Sequence, residues 1–233
     1  MKLLVYCILG ERPPGSELPM GVEGRAVSLV ADGGLAAAVS SAPETCATPS
    51  VPRVVEYARV VEALHEAATV LPMRYGCLAE SEAEIVELLR TRRAQFLARL
   101  DELDGCAEMG LRILLAGPGP PLPQDLRNAA KAVSGRAYLQ RLRACYDGRE
   151  RDRAQADALI EMAKQAFAGL FRKCDAEHSV EGRLLSLHFL APRDRAEAFR
   201  ASFRGLQEAR TEKMLLTGPW PPYNFVGDLF ANG

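Results

Sequence analysis

The terminal segment 218–226 is the feature that most restricts how this chain can fold. It reads GPWPPYNFV and contains the only tryptophan, three of the fifteen prolines and two further aromatic residues. Proline fixes φ, removes a backbone donor and pushes the preceding residue toward extended geometry. The segment is therefore expected to be stiff, extended and unable to pair fully in a sheet. Its aromatic side chains need a surface, either on this protein or on a partner.

A second proline-rich run divides the chain. Residues 117–123 contain four prolines in seven residues, which can continue neither a helix nor a strand. The pattern before this run reads β-ββ-α-β-α-β, typical of a ferredoxin-like sheet with an extra strand. The pattern after it reads α-β-α-β. We therefore expect an α+β fold with two domains, a ferredoxin-like domain at 1–117 and a smaller α+β unit with a long helical segment at 118–233.

Hydrophobic periodicity and turn residues place the individual elements. In the first domain the predicted strands are 3–9, 25–30, 35–40, 70–76 (broken at Pro72) and 108–116, and the predicted helices are 52–68 and 81–104. The second domain begins with a helical stretch over 134–173. Because its middle is almost wholly charged, this stretch is either one helix or two helices meeting near Gly148. A strand at 184–190, a helix at 194–210 and a strand at 213–217 follow.

Composition excludes several classes of protein. A formal net charge of −1 argues against a nucleic-acid binder, which is usually strongly basic. No uncharged run approaches the roughly 20 residues of a membrane helix. The six cysteines are widely spaced, and we expect them to be reduced in a cytoplasmic protein.

The sequence contains few residues arranged for chemistry. The nucleotide-binding, hydrolase and zinc-protease motifs are missing, and the three histidines share no ligand spacing. Cys77 is expected to be an inert, buried thiol. We therefore expect neither a catalytic site nor a cofactor or metal.

Two motifs stand out as candidate interaction sites. Proline and arginine within an apolar strand are costly unless another group compensates. We expect Arg74 to be at least partly buried and paired with a carboxylate or an aromatic face, and the Trp220 segment is the natural candidate for that face. The motifs either seal one domain to the other or form a docking groove for another protein. The candidate residues are Leu71, Pro72, Arg74, Tyr75, Trp220, Pro221, Pro222, Tyr223 and Phe225.

Together, the opening strand 3–9, the LPMRYG run at 71–76 and the terminal GPWPPYNFV resemble the gas vesicle protein F/L family over essentially the whole chain. The resemblance implies a cytoplasmic, non-enzymatic accessory protein associated with gas vesicles, the structures that provide buoyancy. It also implies a modified ferredoxin-like N-terminal domain and a C-terminal tail that packs back at the domain interface. The implied partners are the small hydrophobic shell protein (GvpA-type) and other accessory proteins, whose assembly into nuclei or early vesicles the chain would assist.

Two other functional classes compete with this interpretation. A small-molecule enzyme on a ferredoxin-like scaffold is the alternative, because that fold supports many chemistries. It would require a convergent base, nucleophile or metal set. An RNA-binding module is disfavoured by the near-neutral charge and by the lack of aromatic RNA-binding strands.

Overall fold

The structure is a computed structural model that describes residues 2–10, 18–42, 48–115, 135–178 and 184–227. The chain divides into two compact units. Unit 1 comprises Met1–Glu108 together with Pro219–Gly233, and unit 2 comprises Met109–Gly218.

Unit 1 is built on an antiparallel sheet with strand order β2-β3-β1-β4, in which β5 also pairs with β1. The predicted hairpin is present, and Gly33 and Gly34 supply the positive φ values of its turn. The strand predicted over 70–76 with a break at Pro72 ends at that proline, and a turn follows at Tyr75 and Gly76. The strands are β1 (Leu3–Gly10), β2 (Ser28–Asp32), β3 (Leu35–Ser41), β4 (Val70–Pro72) and β5 (Leu78–Ala79).

Helices cover both faces of this sheet. Helix α1 (Val51–Ala67) contributes Tyr57 to a core that includes Ala36 and Ala38 of β3. Ala37, which points to the opposite face, lies beside α2 (Glu82–Thr91). The third helix, α3 (Arg93–Leu103), packs against β1 and β4. The predicted helix 81–104 is therefore two helices. Its start was correctly placed, since the Ser81 hydroxyl accepts a hydrogen bond from the Glu84 N–H at 3.3 Å.

Unit 2 contains a second sheet with strand order β7-β8-β6-β9. Its core includes a stacked pair, Phe167 and Phe199, with ring centroids 4.0 Å apart. The elements are β6 (Cys106–Leu114), α4 (Gly135–Ala166), β7 (Lys173–His178), β8 (Leu184–Pro192), α5 (Ala196–Glu208) and β9 (Lys213–Trp220).

Strand β6 corrects the predicted domain organisation. It was expected to complete the N-terminal sheet, but it lies between β8 and β9 because Met109, Leu111 and Ile113 belong to the phenylalanine-rich core of unit 2. The boundaries between the two units therefore lie at 108/109 and 218/219, whereas the predicted domain boundary was 117/118. The proline-rich run 117–123 lies outside the described residues.

In the second half, α4 settles an alternative that the sequence left open, and strands β7 and β9 differ from the prediction. Helix α4 is a single helix through position 148, which decides between the two alternatives for 134–173. Strand β7 was missed, because its alternation of charged and small residues is a weak strand signal. Strand β9 continues through Pro219 to Trp220, three residues further than predicted. As an edge strand, it can include a proline.

Candidate functional site

A buried tyrosine on α1 connects three parts of unit 1. The Tyr57 ring stacks on Tyr6 with centroids 4.9 Å apart and meets the edge of Tyr75 at 5.4 Å. Burial raises the pKa of Tyr57 well above its ordinary value, so the hydroxyl remains protonated and donates to one carbonyl at a time. The oxygens within reach belong to Val5 (2.8 Å), Tyr6 (3.1 Å), Met73 (3.0 Å) and Arg74 (3.4 Å). Tyr57 therefore joins α1 to β1 and to the segment after β4.

The C-terminal tail is an integral part of unit 1. Phe225 and Val226 are buried, and Tyr223 packs against the core cluster that contains Tyr57. The tail is fastened through Glu108, which is only 5% exposed. Its carboxylate accepts a hydrogen bond from the Asn224 backbone N–H at 3.0 Å and another from the Asn224 side-chain amide at 2.6 Å. Since these are charge-assisted bonds to a buried group, they are stronger than neutral ones.

The structure brings some of the predicted site residues together in unit 1 and leaves others apart. Leu71 and Pro72 pair with Ile8 and Cys7 inside the sheet. Tyr75 and Tyr223 pack against the same core cluster, and Pro221, Pro222 and Phe225 are buried. Trp220 is 43% exposed.

The expectation for Arg74 is wrong. Its side chain is exposed, and within the described residues its guanidinium pairs with neither a carboxylate nor Trp220. The reason is local, because β4 ends two residues earlier and Arg74 lies beside the turn at Gly76, where φ is +92°. The Arg74 carbonyl, not its charge, makes the structural contacts, accepting the Cys77 N–H at 3.3 Å.

A cavity of about 580 Å³ lies on the opposite face of the same sheet, beside α2. This volume falls within the usual range of ligand-binding pockets. The sheet contributes the floor, α2 forms one wall, and the segment from Met73 to β5 forms another. The lining residues are Val5, Ile8, Ala37, Met73, Cys77, Leu78, Ala79, Glu84, Ile85, Glu87, Leu88, Thr91 and Arg92.

The chemistry of this cavity suits apolar binding. Most of its lining side chains are aliphatic, and the charged residues Glu84, Glu87 and Arg92 all belong to α2 or to its C-terminal end. Burial raises the pKa of the Cys77 thiol, which opposes thiolate formation. Among the residues that the structure describes, no group of three or more His, Cys, Asp or Glu residues is placed to hold a metal ion.

The cavity contains functional candidates that sequence reasoning missed. Met73 and Cys77 lie within or next to the LPMRYG run, yet their approach to α2 depends on the turn between them. Leu88 belongs to the apolar stripe of its helix but remains partly exposed. The consecutive alanines of β3 were the available signal for Ala37, since small residues in a buried strand leave space above the sheet.

Comparisons with known proteins agree with this architecture. A family model described as "Gas vesicle synthesis protein GvpL/GvpF" matches residues 2–227. Gas vesicle protein F of Streptomyces sp. (strain CB03234) is 30% identical over 97% of this chain and 100% of its own length. Gas vesicle protein L of the same strain is 34% identical over 72% of this chain and 66% of its own length.

Solved structures show the same fold. The crystal structure of GvpF from Microcystis aeruginosa superposes with a TM-score of 0.78 at 15% identity, covering 97% of this chain and 98% of that one. GvpF from Anabaena sp. PCC7120 gives 0.75 at 17% identity, with the same coverage. The predicted α+β class is confirmed. Across the described ranges, no helix combines the length and hydrophobicity needed to cross a membrane.

Proposed function

This chain belongs to the GvpL/GvpF family of gas vesicle synthesis proteins, and we propose that it binds the hydrophobic shell protein of the vesicle together with other accessory proteins. Family membership gives it an accessory role in gas vesicle formation. The finer proposal is that it assists nucleation or early growth, in the cytoplasm and at the forming vesicle, without catalysis or a cofactor.

The apolar cavity beside α2 is the observation that supports this proposal. A shell subunit with a large apolar face would aggregate if that face stayed exposed before polymerisation. A preformed apolar cavity can receive side chains from such a face and release them without covalent chemistry. The small-molecule enzyme is the weaker proposal, because the raised pKa of Cys77 opposes a nucleophilic thiol.

A pull-down with purified components tests the function. The full chain, immobilised through a tag, should retain the shell protein encoded in the same organism. The Trp220→Ala variant should retain it equally well, because Trp220 does not line the cavity. If the wild-type chain retains no shell protein at any concentration tested, shell-protein binding is refuted.

Deletion of the gene provides an independent test in cells. An accessory role in nucleation or early growth predicts fewer vesicles, and the full chain supplied in trans should restore their number. Normal vesicle number and size in the deletion strain would contradict the proposed role.

A further inference from the structure

We propose that the cavity beside α2 binds an amphipathic helix whose apolar side chains enter the cavity and whose lysine or arginine side chains pair with Glu84 and Glu87. This inference rests on the proposed function, and it assigns to that function a surface and a chemical class of partner.

The layer of helices on this face of the sheet is incomplete. Helix α2 packs against β2, β3 and β5, whereas α3 packs against β1 and β4. Next to α2, an open space lies over Val5 of β1, Ala37 of β3 and the short strand β5. Protein interiors are normally packed to crystal-like density, so about 580 Å³ of open apolar space has room for side chains from one more element. A helix lying next to α2 would complete the layer.

The walls of the cavity can adapt to aliphatic side chains. The small side chain of Ala37 leaves space above the floor, and Leu78 and Leu88 remain partly exposed in the walls. Met73 is buried at one end, and methionine fills irregular gaps because its side chain is unbranched and flexible. An amphipathic helix presents such apolar anchors at positions i, i+3, i+4 and i+7.

The charges around the cavity favour a cationic partner. The α2 side carries Glu84 and Glu87, three positions apart and so on the same side of the helix. The Glu84 carboxylate accepts the Glu80 N–H at 2.7 Å, and the Glu87 carboxylate accepts the Thr91 hydroxyl at 3.1 Å. Neither carboxylate has an ion-pair partner among the described residues.

Other charges near the cavity do not cancel this pair. Lys2 interacts electrostatically with Glu84, and Arg90 with Glu87. Each of these cations forms its ion pair with another carboxylate, however, Lys2 with Glu80 at 2.6 Å and Arg90 with Asp32 at 2.9 Å. Glu82 adds a further carboxylate on α2. Arg92 lines the cavity at the C-terminal end of α2, and Arg74 lies near Cys77 at the turn. A basic side chain opposite Glu84 and Glu87 is therefore favoured, whereas those two carboxylates would repel an anionic partner.

The direct test is to titrate the full chain with two synthetic helical peptides, each of 18 residues (about five helical turns). One peptide has a leucine stripe with lysines on its polar face, and the other has the same stripe with glutamates. The wild-type chain should bind the lysine peptide at least about tenfold more tightly. The Ala37→Leu variant, which fills the cavity floor, should weaken that binding by about tenfold or more.

A matched pair of exposed variants separates the local site from general electrostatic attraction. Glu87→Lys should weaken the lysine peptide about three- to tenfold, whereas Glu82→Lys should change its affinity by less than about twofold, because Glu82 does not line the cavity. Since Glu87 is exposed, its variant remains informative if Ala37→Leu does not fold.

Equal affinity for the two peptides would overturn the inference, as would equal effects of Glu87→Lys and Glu82→Lys. Repeating the pull-down with these variants distinguishes the two proposals. If wild type and Glu87→Lys retain the shell protein equally, the assigned surface is wrong while the proposed function stands. If wild type retains no shell protein, the proposed function fails whatever the peptides show.

Discussion

Replacing Asn224 with aspartate would place a second carboxylate against the buried carboxylate of Glu108. In the wild-type chain the Asn224 amide donates to Glu108 at 2.6 Å, and the backbone N–H at the same position donates at 3.0 Å. The aspartate keeps the side-chain shape and the backbone bond. It removes the amide donor and adds a like charge.

The cost can be worked from this geometry. Two unit charges about 4 Å apart interact with roughly 4 kcal/mol at an effective dielectric constant near 20. Asn224 is exposed, so water screens part of this repulsion, and we expect it to lower the free energy of unfolding at pH 7 by about 2–3 kcal/mol in addition to the lost amide bond. The neutral control Asn224→Ala loses only the amide bond, about 1.5 kcal/mol because the acceptor is charged.

The two variants differ in their dependence on pH. Facing carboxylates share a proton in the folded state and bind it more tightly than either group does in the unfolded chain. Protonation therefore favours folding, and the deficit of Asn224→Asp should shrink as pH falls from 7 to about 4.5. The deficit of Asn224→Ala should shrink much less over that range, because this variant adds no second carboxylate.

Urea unfolding followed by tryptophan fluorescence measures this deficit. Trp220 is the only tryptophan of the chain. It is the last residue of β9 and leads directly into the tail that contains Asn224, so its emission reports on release of that tail. If Asn224→Asp and Asn224→Ala lose the same stability at both pH values, the contact between Asn224 and Glu108 is not the one described.

Three further predictions concern individual positions. Gly21→Ala should lower the free energy of unfolding by about 1–3 kcal/mol, because the new Cβ would lie 2.4 Å from the Tyr6 hydroxyl oxygen. In the control Gly10→Ala, the new Cβ meets nothing within 4 Å, and stability should change by less than about 0.5 kcal/mol. Equal losses in the two variants would contradict the packing at Tyr6. Arg74→Ala should leave the melting temperature unchanged, since its side chain is exposed, and a clear drop would show a missed contact. Burial raises the pKa of Cys174 to about 11, so at pH 8 roughly one molecule in a thousand carries the reactive thiolate. The rate of Cys174 alkylation, measured by mass spectrometry, should therefore be slow at pH 8 and rise about tenfold per pH unit. A rate independent of pH would refute this.

The local features of unit 1 could be predicted because their signals lie within a few residues. The sequence Asp32-Gly33-Gly34 marks the hairpin turn, since glycine adopts positive φ without steric cost. Pro52 lies in the first turn of α1, and the Ser81–Glu84 pair marks the start of α2. Each of these signals acts through the backbone that carries it.

Sheet membership could not be predicted in the same way. Strand β6 is apolar enough to suit either sheet, and its place between β8 and β9 depends on residues far away in the chain. The side chain of Arg74 was misplaced for a related reason. Its exposure arises because the strand does not resume after the break at Pro72, which the sequence of 70–76 does not reveal.

Only part of the candidate site could be predicted from the sequence. The segments 71–77 and 218–226 stood out because proline, arginine and tryptophan are unusual in their surroundings. The rest of the cavity, which includes Ala37 in its floor and Leu88 in its α2 wall, consists of ordinary apolar residues. A cavity depends on the space left between elements, and that space appears only once the sheet and α2 are placed together.

Hydrogen exchange of the full chain, measured alone and with the purified shell protein, tests the central claim most directly. If the cavity beside α2 is the docking surface, exchange should slow at residues 73–79 and 84–92, while α1 and β7 should exchange as in the free chain. Protection confined to α1 or to unit 2, with no change at 73–79 and 84–92, would contradict the account.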